Sequence, residues 1–151
     1  PEPMIDSTIE TIIGIDGQKM SKNYNNTIPL FAPENQLKKI IAKIETDSIQ
    51  LGSPLNMQTC NVFKLISYLA SDQVIEKLAI DYKNGNIGYG HAKQQLNQEF
   101  LNYFDKSRKK FDELMTNKDQ LMQEMKTSLD DVRSIAKNNL LKIKHSLGIH
   151  Y

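Results

Sequence analysis

The sequence predicts an all-α fold, an antiparallel bundle of about five or six helices preceded by a short irregular arm. Apolar residues recur at helical spacing from Leu37 onward, and short polar or glycine-containing segments separate the periodic stretches. Residues 1–31 differ, because they show no helical period and carry scattered glycine, asparagine and proline. We therefore predict a boundary after Phe31 between an arm, residues 1–31, and a helical domain, residues 32–151.

The arm is expected to hold little regular structure. An apolar run of isoleucines at positions 12, 13 and 15 suggests the end of a strand, and turn-forming residues follow it over residues 16–26. A loop of that length is commonly functional or mobile. We expect mobility over residues 19–26.

The first three helices are predicted from their apolar stripes. Pro33 suits the first turn of the first helix, and the second is expected over residues 57–70. Ser71 is a plausible N-cap for the third, which Asn84 and Gly85 end. The inward residues are predicted to be Leu37, Ile40, Ile41 and Ile44, then Phe63, Ile66 and Leu69, then Val74, Ile75, Leu78, Ala79 and Tyr82.

The second half is expected to be more broken. After a glycine-rich turn at residues 87–90, a long helix runs to about Thr116 and Asn117 interrupts it. A shorter helix follows, and Ser128 and Asp131 resemble a capping pair for a last helix that ends at Gly148. The predicted buried residues are Leu96, Phe100, Phe104, Phe111 and Met115, then Leu121, Met122 and Met125, then Val132, Ile135, Ala136, Leu140, Ile143 and Leu147.

Composition narrows the functional classes. The 151 residues carry 19 basic and 18 acidic side chains, so contact with nucleic acid would depend on local clusters of charge. The single cysteine, Cys60, excludes an internal disulfide and is more typical of a buried structural thiol than of a nucleophile. No apolar run approaches the length of a membrane span. Because the chain starts at Pro1, we expect a piece of a longer protein.

Residues 15–31 are the segment of the chain that could bind a substrate and take part in a reaction. Lys19 and Lys22 stand three apart on either side of Ser21, among small polar residues. Such a loop can wrap a polyphosphate, with ammonium groups neutralising charge on a leaving pyrophosphate. The spacing alone favours a solvated, lysine-rich loop with no ligand.

The order of residues in this loop is more informative than its spacing. Lys19-Met20-Ser21-Lys22-Asn23 resembles the Lys-Met-Ser-Lys-Ser signature of class I aminoacyl-tRNA synthetases, and the flanks at residues 16–17 and 24–28 resemble the tryptophanyl version. Residues 43–48, which end in Thr46-Asp47-Ser48, are similar to the family's Thr-Asp-Ser segment after the first helix. Weaker family landmarks are seen at residues 61–63, 88–93 and 131–136.

The resemblance implies a role for each residue of the signature. Lys19 and Lys22 would be the catalytic cations that bind the pyrophosphate of ATP. Met20 would anchor the loop, and Ser21 and Asn23 would help to bind the phosphates. Asn23 stands where the signature ends in serine, and Gln18 stands where arginine is frequent. Asn23 can still donate and accept hydrogen bonds.

The resemblance also implies what this chain lacks. The family's His-Ile-Gly-His signature and tryptophan pocket belong to a Rossmann-type catalytic domain, and neither is encoded here. We expect a C-terminal fragment, inactive alone and without a tightly bound cofactor, of a cytoplasmic homodimer whose contacts lie in the missing part. The full enzyme would use ATP with Mg²⁺, tryptophan and its tRNA, and residues 32–151 would bind the anticodon.

Other interpretations stay open at this point. The chain could be an RNA-binding or protein-interaction module without catalysis, or part of a tyrosine-specific ligase. Two basic clusters could contact RNA, although solvated helix faces are favoured and no anticodon-reading residue is assigned. The clusters are Lys106, Arg108, Lys109 and Lys110, then Lys137, Lys142, Lys144 and His145. The spacing of the histidines and Cys60 predicts no metal site.

Overall fold

The computed structural model describes residues 11–50 and 52–149 and divides the chain into two compact units, Pro1–Arg108 and Lys109–Tyr151. Its described residues form five α-helices and a 3-10 turn, with a single antiparallel bridge between Ile13 and Lys19 as the only strand pairing. The all-α prediction is confirmed. The expected strand end is reduced to that bridge, and the domain boundary after Phe31 stays a prediction.

Helices α1 (Glu34–Ala42) and α3 (Asp72–Asn84) follow their predicted stripes. Leu37 and Ile41 are buried on α1, and Leu78 and Tyr82 are buried on α3. Ser71 is the N-cap residue of α3, but its side chain makes no capping hydrogen bond. The chain leaves α3 at the predicted residue, Gly85, whose φ of 69° is a left-handed conformation that favours glycine.

Helix α2 (Asn61–Ser67) is shorter than predicted. Asn56 explains its late start, because its Oδ1 accepts the backbone N–H of Gln58 at 2.9 Å and holds residues 57–59 in a turn. Of the predicted inward residues, Ile66 is fully buried, whereas Phe63 and Leu69 pack against the core while partly buried. Val62 and Leu65 complete the buried face.

Helix α4 (Tyr89–Thr116) is the long helix that the sequence predicts. Its buried residues, Ala92, Leu96 and Phe100, join α1, α2 and α3 in one hydrophobic core within the first unit. Phe104 packs against that core. Met115 was predicted to be buried, but it lies in the second unit and is 42% exposed.

Helix α5 (Lys118–Ser146) corrects two predictions. It runs without interruption, so Ser128 and Asp131 lie in mid-helix and cap nothing. No glycine or proline breaks it, and the Thr127 hydroxyl donates back to the carbonyl of Gln123 at 3.1 Å, which lets threonine sit in a helix. Its apolar residues are exposed, with Ile135 at 62%, except Leu121, which is half-buried. Among the helices described, none has the length and apolar character to cross a membrane.

Candidate functional site

The signature loop, residues 16–26, is organised around the buried side chain of Asn26, which is 2% exposed. Its Oδ1 accepts the backbone N–H of Ser21 at 2.8 Å. Its Nδ2 donates to Asp16 Oδ1 at 2.8 Å and to the carbonyl of Lys19 at 3.1 Å. Both ends of the amide are therefore paired, which offsets the cost of burying a polar group.

Backbone hydrogen bonds tie the middle and the end of the loop to the segment before it. Ile15 N–H donates to the carbonyl of Asn26 at 3.0 Å, and Met20 N–H donates to that of Ile12 at 2.9 Å. The carbonyl of Ile15 in turn accepts the N–H of Glu45 at 2.9 Å. Glu45 lies two residues after Lys43, which is the C-cap of α1. The loop therefore leaves and rejoins the fold at fixed points.

Two glycines permit this close packing. A Cβ added to Gly14 would lie 2.5 Å from the side chain and the carbonyl of Asn26, closer than atoms can pack. Gly17 has a φ of 75°, and a Cβ there would lie 2.6 Å from the side-chain amide of Asn61. Larger residues at either position would force the loop away from the fold.

The predicted ATP-binding residues lie on the outer side of this loop. Lys19, Lys22 and Asn23 are exposed, whereas Ser21 is half-buried. The Ser21 Oγ accepts the N–H of Asn23 at 3.3 Å and caps the 3-10 turn Lys22–Tyr24. Lys22 therefore extends into solvent from the 3-10 turn, and Lys19 extends into solvent from its bridge with Ile13, so a polyanion can reach both.

Met20 points the other way. Its side chain is half-buried, packs against the core, and lines an apolar groove of about 410 Å³ in the first unit. Ile12, Leu30, Leu65, Leu96 and Tyr103 are among the other lining residues. The unbranched thioether of methionine adapts to such a surface, so the contact fits the predicted anchoring role.

Asp16 is the charged residue of the Asn26 network. The hydrogen bond from Asn26 is the main cause that lowers the pKa of Asp16 below its ordinary value of 3.8, and the N–H of Gln18, donated at 3.0 Å, acts in the same direction. Burial acts in the opposite direction, with an effect on the pKa smaller than that of Asn26 but larger than that of Gln18. Asp16 therefore carries its negative charge within the loop at neutral pH.

Two family landmarks that are far apart in sequence meet in the structure. The phenol of Tyr89 donates to Asp47 Oδ1 at 2.5 Å, and Lys93 Nζ donates to the carbonyl of Ala42 at 2.9 Å. Burial, followed by the hydrogen bond to Asp47, raises the pKa of the Tyr89 phenol. Glu45, Thr46 and Asp47 of the first landmark and Tyr89 of the second line a polar cleft of about 290 Å³, together with Thr59, Cys60 and Asn61.

The first basic cluster is not uniformly solvated. Arg108 is half-buried and donates through its guanidinium to the carbonyls of Leu30 and Ala32, the latter at 2.9 Å. Lys110, by contrast, forms an exposed ion pair with Glu113 at 3.1 Å. Arg108 therefore tethers the segment that follows the signature loop, a role that the sequence did not indicate.

Cys60 has the structural character that its solitary position predicts. It is 6% exposed, and its sulfur lies 3.5 Å from the hydroxyl of Tyr82. Within the described ranges, no group of three histidine, cysteine or acidic side chains is placed to hold a metal ion.

Sequence reasoning missed Asn26. It counted the residue as one of several turn formers, and an asparagine in a polar loop gives no periodic signal of burial. The sequence signal that could have identified Asn26 was its position next to the signature, since residues 24–28 resemble the family's loop.

Comparison with known proteins gives a consistent answer. Residues 2–105 match the family of tRNA synthetases class I (W and Y). The chain is 36% identical to the tryptophan–tRNA ligase of Campylobacter jejuni over 149 residues, covering 99% of this chain and 47% of that protein. The Fusobacterium nucleatum ligase is 37% identical, with 99% and 46% covered.

A solved structure gives the same result. The Campylobacter jejuni tryptophanyl-tRNA synthetase complexed with ADP and tryptophan superposes with a TM-score of 0.87, covering 95% of this chain and 45% of that one. The chain spans about half the length of the curated relatives it matches. The match to the family over residues 2–105 places this chain among the class I tRNA synthetases of the tryptophan and tyrosine group.

Proposed function

We propose that this chain supplies the ATP-phosphate loop and the anticodon-binding helices of a tryptophan–tRNA ligase. In that reaction the carboxylate of tryptophan attacks the α-phosphate of ATP and pyrophosphate leaves. A hydroxyl group of the tRNA then attacks the adenylate, the tryptophanyl group is transferred to the tRNA, and AMP leaves. One observation carries the proposal. Lys19 and Lys22 are exposed on a loop with a fixed backbone, in a chain whose relatives are named tryptophan–tRNA ligases.

The two lysines stabilise the leaving group. Negative charge develops on pyrophosphate as its bond to the α-phosphorus breaks, and the ammonium groups of Lys19 and Lys22 neutralise it. Removing one positioned donor of this kind typically costs about 10²- to 10³-fold in rate. The exposed positions of both lysines support this role, because no side-chain partner among residues 11–50 and 52–149 must be displaced before the phosphates bind.

The neighbouring residues hold the phosphates and the loop. Ser21 uses an oxygen lone pair on Asn23 N–H, so its hydroxyl hydrogen remains available for a phosphate oxygen. Asn23 offers its side-chain amide at the exposed turn. Met20 anchors the loop on the apolar groove. Mg²⁺ enters with the ATP phosphates, which are its usual partners in nucleotide sites.

The remaining parts of the reaction belong to the half of the relatives that this chain does not match. We place the tryptophan pocket, the His-Ile-Gly-His signature and the homodimer contacts there. This chain alone is therefore expected to activate no amino acid. The complete enzyme would act in the cytoplasm.

Residues 32–151 are proposed as the anticodon-binding domain. Sequence-specific RNA readers recognise unstacked bases by stacking and by cationic contacts to the backbone. Fluorescence anisotropy of this chain with a tryptophan-tRNA anticodon stem-loop tests the proposal, with a scrambled anticodon as control. Preference for the cognate loop supports it, whereas equal, salt-sensitive binding to both indicates only attraction to phosphate and contradicts an autonomous reader.

The amino-acid assignment is tested by ATP–pyrophosphate exchange in the complete ligase that carries this chain. We expect exchange that depends on tryptophan and a rate with tyrosine lower by at least about 10³-fold, since a site that pairs its buried polar groups rejects the wrong side chain strongly. Exchange with tyrosine alone would assign a tyrosine ligase. Exchange with neither amino acid would favour a non-catalytic module.

A further inference from the structure

We propose that Asn26 is a positioning residue for amino-acid activation, which holds the backbone between Lys19 and Ser21 so that the lysines face the ATP phosphates. This inference rests on the proposed function. It adds a residue outside the signature and assigns it a separate task. Asn26 is 2% exposed, so ATP cannot reach its side chain, and any effect on the rate must pass through the loop.

The geometry of the amide explains how it acts. Asn26 Nδ2 binds the carbonyl of Lys19, and Oδ1 binds the N–H of Ser21, so a single side chain holds the peptide groups on both sides of Met20. Rotation of either peptide would break a part-buried hydrogen bond. Because Lys19 and Ser21 flank the anchor and Lys22 follows directly, the directions of both lysines depend on these two bonds.

Asp16 fixes the orientation of the amide. Its Oδ1 accepts the second hydrogen of Asn26 Nδ2 at 2.8 Å, so the NH₂ group must face Asp16 and Lys19 while the oxygen faces Ser21. An aspartate at position 26 offers no donor when ionised and places a second carboxylate against Asp16. An alanine leaves the carbonyl of Lys19 and the N–H of Ser21 without this partner, and leaves Asp16 with the N–H of Gln18.

This arrangement gives a reciprocal test. Asn26→Asp introduces repulsion between two carboxylates, and the double variant Asp16→Asn with Asn26→Asp restores a donor and an acceptor across the same contact. Ser21 N–H retains an acceptor in both variants, and the carbonyl of Lys19 loses its donor in both, so the two variants differ only in the contact between positions 16 and 26. A rescue by exchange of the two side chains distinguishes positioning through this contact from a general loss of packing.

The experiment measures kcat and KM in tryptophan-dependent pyrophosphate exchange by the complete ligase. We expect Asn26→Ala and Asn26→Asp to lower kcat about 100-fold, the usual effect of misplacing a reacting group by about 1 Å. KM for tryptophan should stay within about twofold, because the tryptophan pocket lies outside the loop. The double exchange should recover at least about tenfold of the loss of Asn26→Asp. The matched control is Asn86→Ala, an exposed asparagine after α3.

The pH profile adds a second readout. The repulsion in Asn26→Asp disappears when the carboxylate pair binds one proton, so its kcat relative to the unsubstituted enzyme should rise as the pH is lowered from about 8 to 6. Asn26→Ala has no such proton to gain and should show a flat ratio.

The outcomes distinguish a failure of the proposed function from a failure of the positioning role of Asn26. If the unsubstituted ligase shows no exchange with tryptophan, the proposed function fails. If that enzyme is active and Asn26→Ala behaves like Asn86→Ala, or if the double exchange recovers nothing, the positioning role is wrong. Should Asn26→Ala fail to fold, the pair Asn26→Asp and the double exchange decides alone.

Discussion

Asn26 donates a hydrogen bond to Asp16 across the base of the signature loop, with 2.8 Å between Nδ2 and Oδ1. The two residues are ten apart in sequence, and their contact joins the start of the loop to its end. It also stabilises the ionised form of Asp16, which lowers the pKa of that carboxyl below 3.8.

The pKa of Asp16 therefore reports on the loop. A folded pKa below the unfolded value means that Asp16 contributes to stability above about pH 4 and that this contribution is lost as the pH falls through the folded pKa. We expect Asn26→Ala to raise the pKa of Asp16 toward its ordinary value. NMR titration of the side-chain carboxyl carbon measures it, and an unchanged pKa would show that Asn26 does not hold the carboxylate.

Gly14 should tolerate no side chain. A methyl group there would lie 2.5 Å from the carbonyl and the side chain of Asn26, so Gly14→Ala is expected to destabilise the fold by about 1–3 kcal/mol. Gly90, in the first turn of α4, has open space at its Cβ position, and Gly90→Ala should stabilise by about 0.5–1 kcal/mol. Urea unfolding measures both, and equal effects at the two glycines would contradict the packing around Asn26.

Arg108 should matter more to stability than an ordinary surface arginine. Arg108→Ala leaves two carbonyls without their charged donor, one of them on the buried residue Ala32, and should cost about 1–3 kcal/mol. Arg133 is the control, because its 3.6 Å pair with Asp130 is exposed and its removal should change stability by less than about 0.5 kcal/mol. If Arg133→Ala lowers the stability as much as Arg108→Ala does, the hydrogen bonds of Arg108 do not act as a tether.

Amide hydrogen exchange should separate two groups of residues in and next to the signature loop. We call Ile15, Met20 and Ser21 the frame, and Tyr24 and Asn25 the tip. The amides of Ile15, Met20 and Ser21 have short bonds to fixed acceptors, whereas those of Tyr24 and Asn25 have longer bonds within the exposed turn. We expect the three frame amides to exchange at least about tenfold more slowly. Mobility over residues 19–26 stays a prediction, and we expect it to be greatest at Tyr24 and Asn25. Uniformly fast exchange would show that Asn26 does not organise the loop.

Periodicity predicted the helices of the first unit because their apolar faces meet in one core. Leu37, Ile41, Leu78 and Tyr82 are buried as their spacing indicates. The same reasoning was wrong for α5, where Val132 and Ile135 repeat at helical spacing but remain exposed. Periodicity reports which face of a helix is apolar, and it contains no information on whether another element covers that face.

The order of residues in the sequence identified the signature residues, but it did not identify the residues that hold the loop and the segment after it in place. Lys19 and Lys22 belong to a recognisable pattern. The contacts of Asn26 and Arg108 depend on tertiary structure, since Arg108 reaches carbonyls 76 and 78 residues away. Neither residue differs locally from a turn former or a solvated cation, so only coordinates could assign them.

The central claim is that the signature loop supplies the cations for tryptophan activation, and Lys22→Ala tests it most directly. In the complete ligase we expect this variant to lower kcat for tryptophan-dependent pyrophosphate exchange by about 10²- to 10³-fold while the Kd for tryptophan stays the same. Lys77→Ala, an exposed lysine on α3, is the matched control and should leave the rate unchanged. An exchange rate for Lys22→Ala equal to that of the control would contradict the assignment.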